Sequence, residues 1–151
     1  ADYRKYFRIS VPVSLAVRTQ FFINEGKNSR RFFMGGSWSL RGWTLNGFRG
    51  TKMWQTNVEL RFPLINLLYI AFPEDVIIGF RGIKGAIFFD AGNTWDYSEE
   101  FKNVKGSIGA GVRINVFGLL VLRWDIGKRI ENNFTKLQNG LFSQVLFGWD
   151  F

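Results

Sequence analysis

The sequence predicts an all-β protein and, within that class, an antiparallel transmembrane β-barrel. Three observations lead there. Apolar and polar residues alternate with period two over most of the chain, which is the strand signature. The alternating segments run to about 10–14 residues, where strands of water-soluble proteins are usually nearer 5–6 and about 9–11 tilted residues cross a bilayer. The polar positions hold Gly, Ser, Asn, Gln and charges of both signs, as a polar lumen requires, and the apolar positions end in Trp and Phe, as an interfacial girdle requires.

About seven segments carry the pattern. A partial strand, Tyr3–Ser10, opens the chain. Pro12–Ile23 sets Ser14, Ala16, Arg18 and Gln20 against Val13, Leu15, Val17, Phe21 and Ile23. Met53–Leu64 sets Gln55, Asn57, Glu59 and Arg61 against Trp54, Thr56, Val58, Leu60, Phe62 and Leu64. Gly82–Trp95 opposes Lys84, Asp90 and Thr94 to Ile83, Ile87, Phe89 and Trp95. Val104–Phe117 opposes Lys105, Ser107, Gly109, Gly111, Arg113 and Asn115 to Ile108, Ala110, Val112, Ile114 and Val116. In Gly118–Gly127, Arg123 and Asp125 face away from Leu120, Leu122, Trp124 and Ile126. In Phe142–Phe151, Gln144, Gly148 and Asp150 face away from Val145, Phe147, Trp149 and Phe151. Leu64–Phe72 reads as a short apolar turn, and nothing reads as a long helix. Connections alternate in length: short near Ser10–Pro12 and Phe117–Leu119, long and polar over Asn24–Lys52, Asp96–Asn103 and Lys128–Asn139. Pro63–Val76 is longer than its short-turn side requires.

Composition narrows the chemistry. There is no Cys and no His, so thiolate nucleophiles, the commonest general base and the usual zinc ligands are missing. We expect no enzyme activity, no cofactor and no metal. No apolar run is long enough for a transmembrane helix, and no signal peptide is visible. Gly106, Gly109 and Gly111 do not complete a dinucleotide fingerprint, since Ile114 stands at the third glycine and no helix follows. The net charge of +8 first invites nucleic acid. However, Lys27, Arg30, Arg31, Arg49, Lys52, Lys102, Lys128, Arg129 and Lys136 fall in or beside the long loops. That placement fits anionic lipid head groups better than nucleic acid.

The order Gly35–Trp43 (GGSWSLRGW), Asn57–Leu64 (NVELRFPL), Phe88–Asp96 (FFDAGNTWD), Gly106–Ile114 (GSIGAGVRI) and a C-terminal aromatic resembles the end of a BamA-type barrel, of the bacterial surface-antigen superfamily. Trp43 departs mildly from the Phe or Tyr usual after Arg-Gly. The resemblance implies an integral protein of the bacterial outer membrane that assembles, inserts or translocates polypeptides. Its partners would be outer-membrane lipids including lipopolysaccharide, client outer-membrane or secreted polypeptides, and periplasmic domains or accessory subunits, with no nucleic acid. It implies that residues 1–151 are the C-terminal segment of the barrel domain, with further strands before Ala1. It also implies that the loop carrying Leu40, Arg41, Gly42 and Trp43 folds into the lumen, with Arg41 meeting Glu59 and Asp90. Val145, Phe147, Trp149 and Phe151 would form the outer-membrane targeting strand. Two other readings fit the same residues: a barrel that only anchors another domain or stands alone without insertase activity, and a soluble nucleic-acid binder.

Overall fold

In a computed structural model of the chain, the described residues are 1–66, 68–72, 76–80, 82–97, 99–101, 103–116 and 120–148, with 68–72, 76–80 and 116 described by their backbone alone. The strands in chain order are β1 (Asp2–Arg8), β2 (Ser14–Ile23), β3 (Phe32–Met34), β4 (Phe48–Gly50), β5 (Lys52–Ile65), β6 (Leu68–Phe72), β7 (Val76–Phe80), β8 (Ile83–Trp95), β9 (Lys105–Val116), β10 (Leu120–Glu131) and β11 (Lys136–Gly148). One sheet has the order β1-β2-β5-β8-β9-β10-β11, and β3–β4 and β6–β7 pair separately. All neighbours are antiparallel. The connections from β2 to β5, β8 to β9 and β10 to β11 share one end of the large sheet, here the loop end. The opposite end is the turn end.

The seven alternating segments are the seven members of this sheet, with two corrections. Leu64–Phe72 is not a turn: β5 runs on to Ile65, and Leu68–Phe72 pairs with Val76–Phe80. A short apolar run looks the same in a turn, a buried helix and a strand, so its partner decides. Lys128–Asn139 is not a long loop either. β10 continues to Glu131 and β11 begins at Lys136, leaving a tight turn in which Asn132, Asn133 and Phe134 take positive φ. Charged hairpin arms that project beyond an apolar belt look like loop in a sequence. Among the described residues β1 and β11 are the two outer strands of an open antiparallel sheet, as expected of a portion of a larger sheet. Lys102, residues 117–119, Trp149, Asp150 and Phe151 lie outside the described residues.

The sheet is inside out relative to a soluble one. Register aligns Arg4, Arg18, Asn57, Asp90 and Ser107 across five strands on one face. That polar face is buried, including Gln55, Asn57, Glu59, Asp90, Arg113, Arg123 and Asp125. The opposite, apolar face is open: Trp124 is 47% exposed, Phe147 57% and Val145 67%. A water-soluble antiparallel sheet packs its apolar face and wets its polar one. What covers the polar face here is chain from the β3–β4 connection.

Candidate functional site: a loop docked on the polar face

The covering loop follows Met34. Gly35 and Gly36 take φ of 118° and 93°, values that Cβ-bearing residues avoid, and so turn the chain back over the sheet. The Gly35 N–H donates to Ser39 Oγ at 2.7 Å, fixing the turn. Leu40 is fully buried with Met34 and Met53, inside a frame of Phe22, Phe32, Trp43 and Phe48. This small apolar plug holds the arginine that follows it.

Arg41 lies within the polar face, 2% exposed. Its Nε and Nη2 donate to the two oxygens of Asp90 at 2.6 and 2.7 Å, a bidentate pair. Its Nη1 donates to Glu59 Oε2 at 2.6 Å. The guanidinium stacks 3.8 Å above the Phe88 ring, a cation–π contact that desolvation strengthens. The backbone N–H of Arg41 also donates to Asp90, at 3.3 Å. Asp90 further accepts from Asn57 Nδ2 at 2.9 Å and Ser107 Oγ at 3.2 Å. The structure thus brings together Arg41, Glu59 and Asp90, from one loop and two strands.

Gly42 and Trp43 extend the docking to the far side of the sheet. Gly42 has φ of 81°, and a Cβ there would sit 2.3 Å from the Phe142 ring. Its N–H donates to Gln144 Oε1 at 3.0 Å, and its carbonyl accepts from Arg129 Nε. Trp43 Nε1 donates to the Gly106 carbonyl at 2.9 Å. Upstream, Asn57 Nδ2 donates to the Ser39 carbonyl at 2.5 Å, and Arg123 Nη2 donates to the Ser37 carbonyl. The loop therefore bonds to β5, β8, β9, β10 and β11.

Around the Arg41 pairings lies a second tier that sequence reasoning did not single out. Arg113 donates to Glu59 Oε2 at 2.9 Å and to Asp125 Oδ1 at 2.5 Å. Arg123 Nε lies 3.0 Å from Asp125 Oδ2, and Arg41 Nη1 lies 3.7 Å from the same oxygen. Arg61 Nε donates to Glu59 Oε1 at 2.9 Å. Three buried carboxylates are thereby held among four guanidinium groups. Alternation already put Arg113, Arg123 and Asp125 on the polar side. The register that sets Arg113 opposite Arg123 would have been needed to see them as one network. Arg129, expected beside a long loop, is instead on β10 and bonds to Gly42.

The terminal strand divides. Phe142 and Gln144 face the docked loop, while Val145 and Phe147 stand on the exposed apolar face. Every buried carboxylate in the network meets an arginine, so the arrangement is suited to locking a loop in place. Among the described residues, no cluster of His, Cys, Asp or Glu is grouped to hold a metal.

The described chain is thus an antiparallel sheet with an open apolar face and an arginine loop buried on its polar face. The Omp85 superfamily domain matches residues 1–141, and the chain belongs to that superfamily. Its members are outer-membrane proteins concerned in general with the assembly or translocation of polypeptides. No curated protein and no solved structure matches the chain.

Proposed function

We propose that this chain is a section of a transmembrane β-barrel in the bacterial outer membrane, and that the barrel takes part in polypeptide insertion or translocation without covalent chemistry. The observation that carries the reading is the Arg41 loop, buried against Glu59 and Asp90 on the polar face of a sheet whose apolar face is open. In water that sheet would expose Trp124, Val145 and Phe147 at a cost of about 1.5–3 kcal/mol for each large apolar side chain. In a bilayer the same face is solvated by acyl chains. The free edges of β1 and β11 then pair with further strands, because an unpaired edge is not tolerated in hydrocarbon.

In this reading the docked loop holds five strands in register and shapes the lumen through which a client moves. Val145 and Phe147 stand on the lipid-facing side of the terminal strand, which targets the chain. Lipopolysaccharide and other anionic lipids meet the loop-end cations, while periplasmic domains or accessory subunits deliver clients from the turn end.

The test is made in native membranes. The protein should resist alkaline extraction and leave only with detergent. Arg41→Ala should reduce the rate of client assembly severalfold while the protein still reaches the membrane. Recovery in the aqueous fraction would sink the barrel. An Arg41→Ala protein that assembles clients at the normal rate would leave the barrel standing and remove the lock.

A further inference from the structure

The apolar face is not even. Towards the turn end, two rows of residues cross it: Phe62, Gly85, Val112 and Trp124 in one, and Leu60, Ile87, Ala110 and Ile126 in the next. Gly85 on β8 and Ala110 on β9 are diagonal neighbours, and neither carries a side chain long enough to stand out from the sheet. A cleft of about 320 Å³ results, floored by Gly85, Ala110 and Val112 and walled by Phe62 on one side and Trp124 and Ile126 on the other. The walls are fixed. Phe62 lies so close over Gly85 that a Cβ there would stand 2.6 Å from its ring. Trp124 donates its Nε1–H to Ser143 Oγ at 2.9 Å, which ties the indole to β11 and keeps it from folding over Ala110.

We propose that this cleft holds one acyl chain of a phospholipid from the periplasmic leaflet. The proposal rests on the reading that the apolar face lies in the bilayer, and it adds a defined lipid seat on that face. Chemistry is the first argument. Among the described residues that line the cleft, Trp124 Nε1 is the one polar side-chain atom, and its hydrogen is already given to Ser143. A polypeptide backbone laid there would leave its N–H and C=O groups unsatisfied in hydrocarbon; an acyl chain has none to satisfy. Contact is the second. Lipid tails are as apolar as the wall itself, so no hydrophobic gain favours one position on the face over another. Close packing does: a chain on the flat part of the face touches protein along one side, and a chain in the cleft touches the floor and both walls. Size is the third. The 320 Å³ of the cleft is the room that roughly ten water molecules take up in the liquid, and a methylene group is about as large as a water, so much of one chain fits.

The full chain would be reconstituted into dioleoyl phosphatidylcholine vesicles containing a trace of phosphatidylcholine with a diazirine in one acyl chain, irradiated, and its adducts mapped by mass spectrometry. Labelling should be roughly tenfold denser at Ala110, Val112 and Trp124, where a chain makes about ten more close carbon contacts, than at Ile108 and Val145, which stand on the same face 46% and 67% exposed. Ala110→Phe fills the cleft from an exposed position and should abolish the excess at Val112 and Trp124. Ala110→Leu should act in the same direction, and Ile108→Phe, outside the cleft, should leave the excess in place. Unchanged electrophoretic mobility before and after heating checks that the variants fold. Labelling spread over the face in proportion to exposure, or an excess that survives both Ala110 substitutions, overturns the proposal. So does a cross-linked dimer joined through Trp124, which would make a second copy the occupant. Any of these results in a protein that still needs detergent for extraction removes the cleft alone. Recovery of the protein in the aqueous fraction removes the bilayer reading, and the lipid seat with it.

Discussion

At the scale of single residues, the site turns on how buried charges are balanced. An exposed pair such as Lys52 with Glu25, 3.2 Å apart, is worth at most about 1 kcal/mol, because water and salt compete for both partners. The carboxylates of Glu59, Asp90 and Asp125 have no such competition, and removing one partner leaves the others charged and unsolvated, at about 3–5 kcal/mol. Asp125→Ala is therefore expected to lower the urea midpoint markedly, although Asp125 lies 3.7 Å from Arg41 and acts mainly through Arg113 and Arg123. Glu25→Ala should leave the midpoint almost unchanged. Equal shifts for the two variants would mean that water reaches the network. Gly42 belongs to the same scale. Only glycine combines a φ of 81° with a Phe142 ring where a Cβ would stand.

At the scale of elements, the loop after β3 is a tie across the sheet. It bonds to β5 through Asn57 and Glu59, to β8 through Asp90, to β9 through Gly106, and to the terminal strand through Gln144. The chain has no cysteine of its own, so an introduced pair reports cleanly. Ser39→Cys with Asn57→Cys should cross-link in native membranes, because the Ser39 carbonyl and Asn57 Nδ2 are 2.5 Å apart. A pair joining Ser39→Cys to Lys136→Cys, at the loop end of β11, should not. Absence of the first product at all oxidant levels would mean that the loop is undocked in the membrane. The turn of 132–135 shows how element boundaries were misread. Lys128, Arg129 and Lys136 look like loop residues, yet the arms of β10 and β11 carry them, and Arg129 reaches back to Gly42.

At the scale of the whole molecule, the two outer strands, β1 and β11, set the architecture. If β1 and β11 are closed by further strands in the membrane, amides on their outer sides should exchange with solvent as slowly as those of β5 and β8. If the sheet stands open, those amides should exchange orders of magnitude faster than the central ones. The first result supports a closed barrel; the second excludes one for this chain as it exists in the membrane.

The period-two pattern determined by itself that the chain is β, roughly where the seven strands of the large sheet run, and which side of each is polar. Backbone geometry forces successive side chains to opposite faces, so those facts are local. The same alternation put Glu59 and Asp90 on the polar side, and resemblance gave Arg41 its expected place between them. Only tertiary structure decided the rest. Leu64–Phe72 became strand because Val76–Phe80 lies beside it. Arg113, Arg123 and Asp125 became one network because register set their strands side by side, and Gln144 and Arg129 became loop partners because the loop crosses the sheet to reach them. Such pairings depend on which strands become neighbours, and a periodicity read along one strand carries no information about the next.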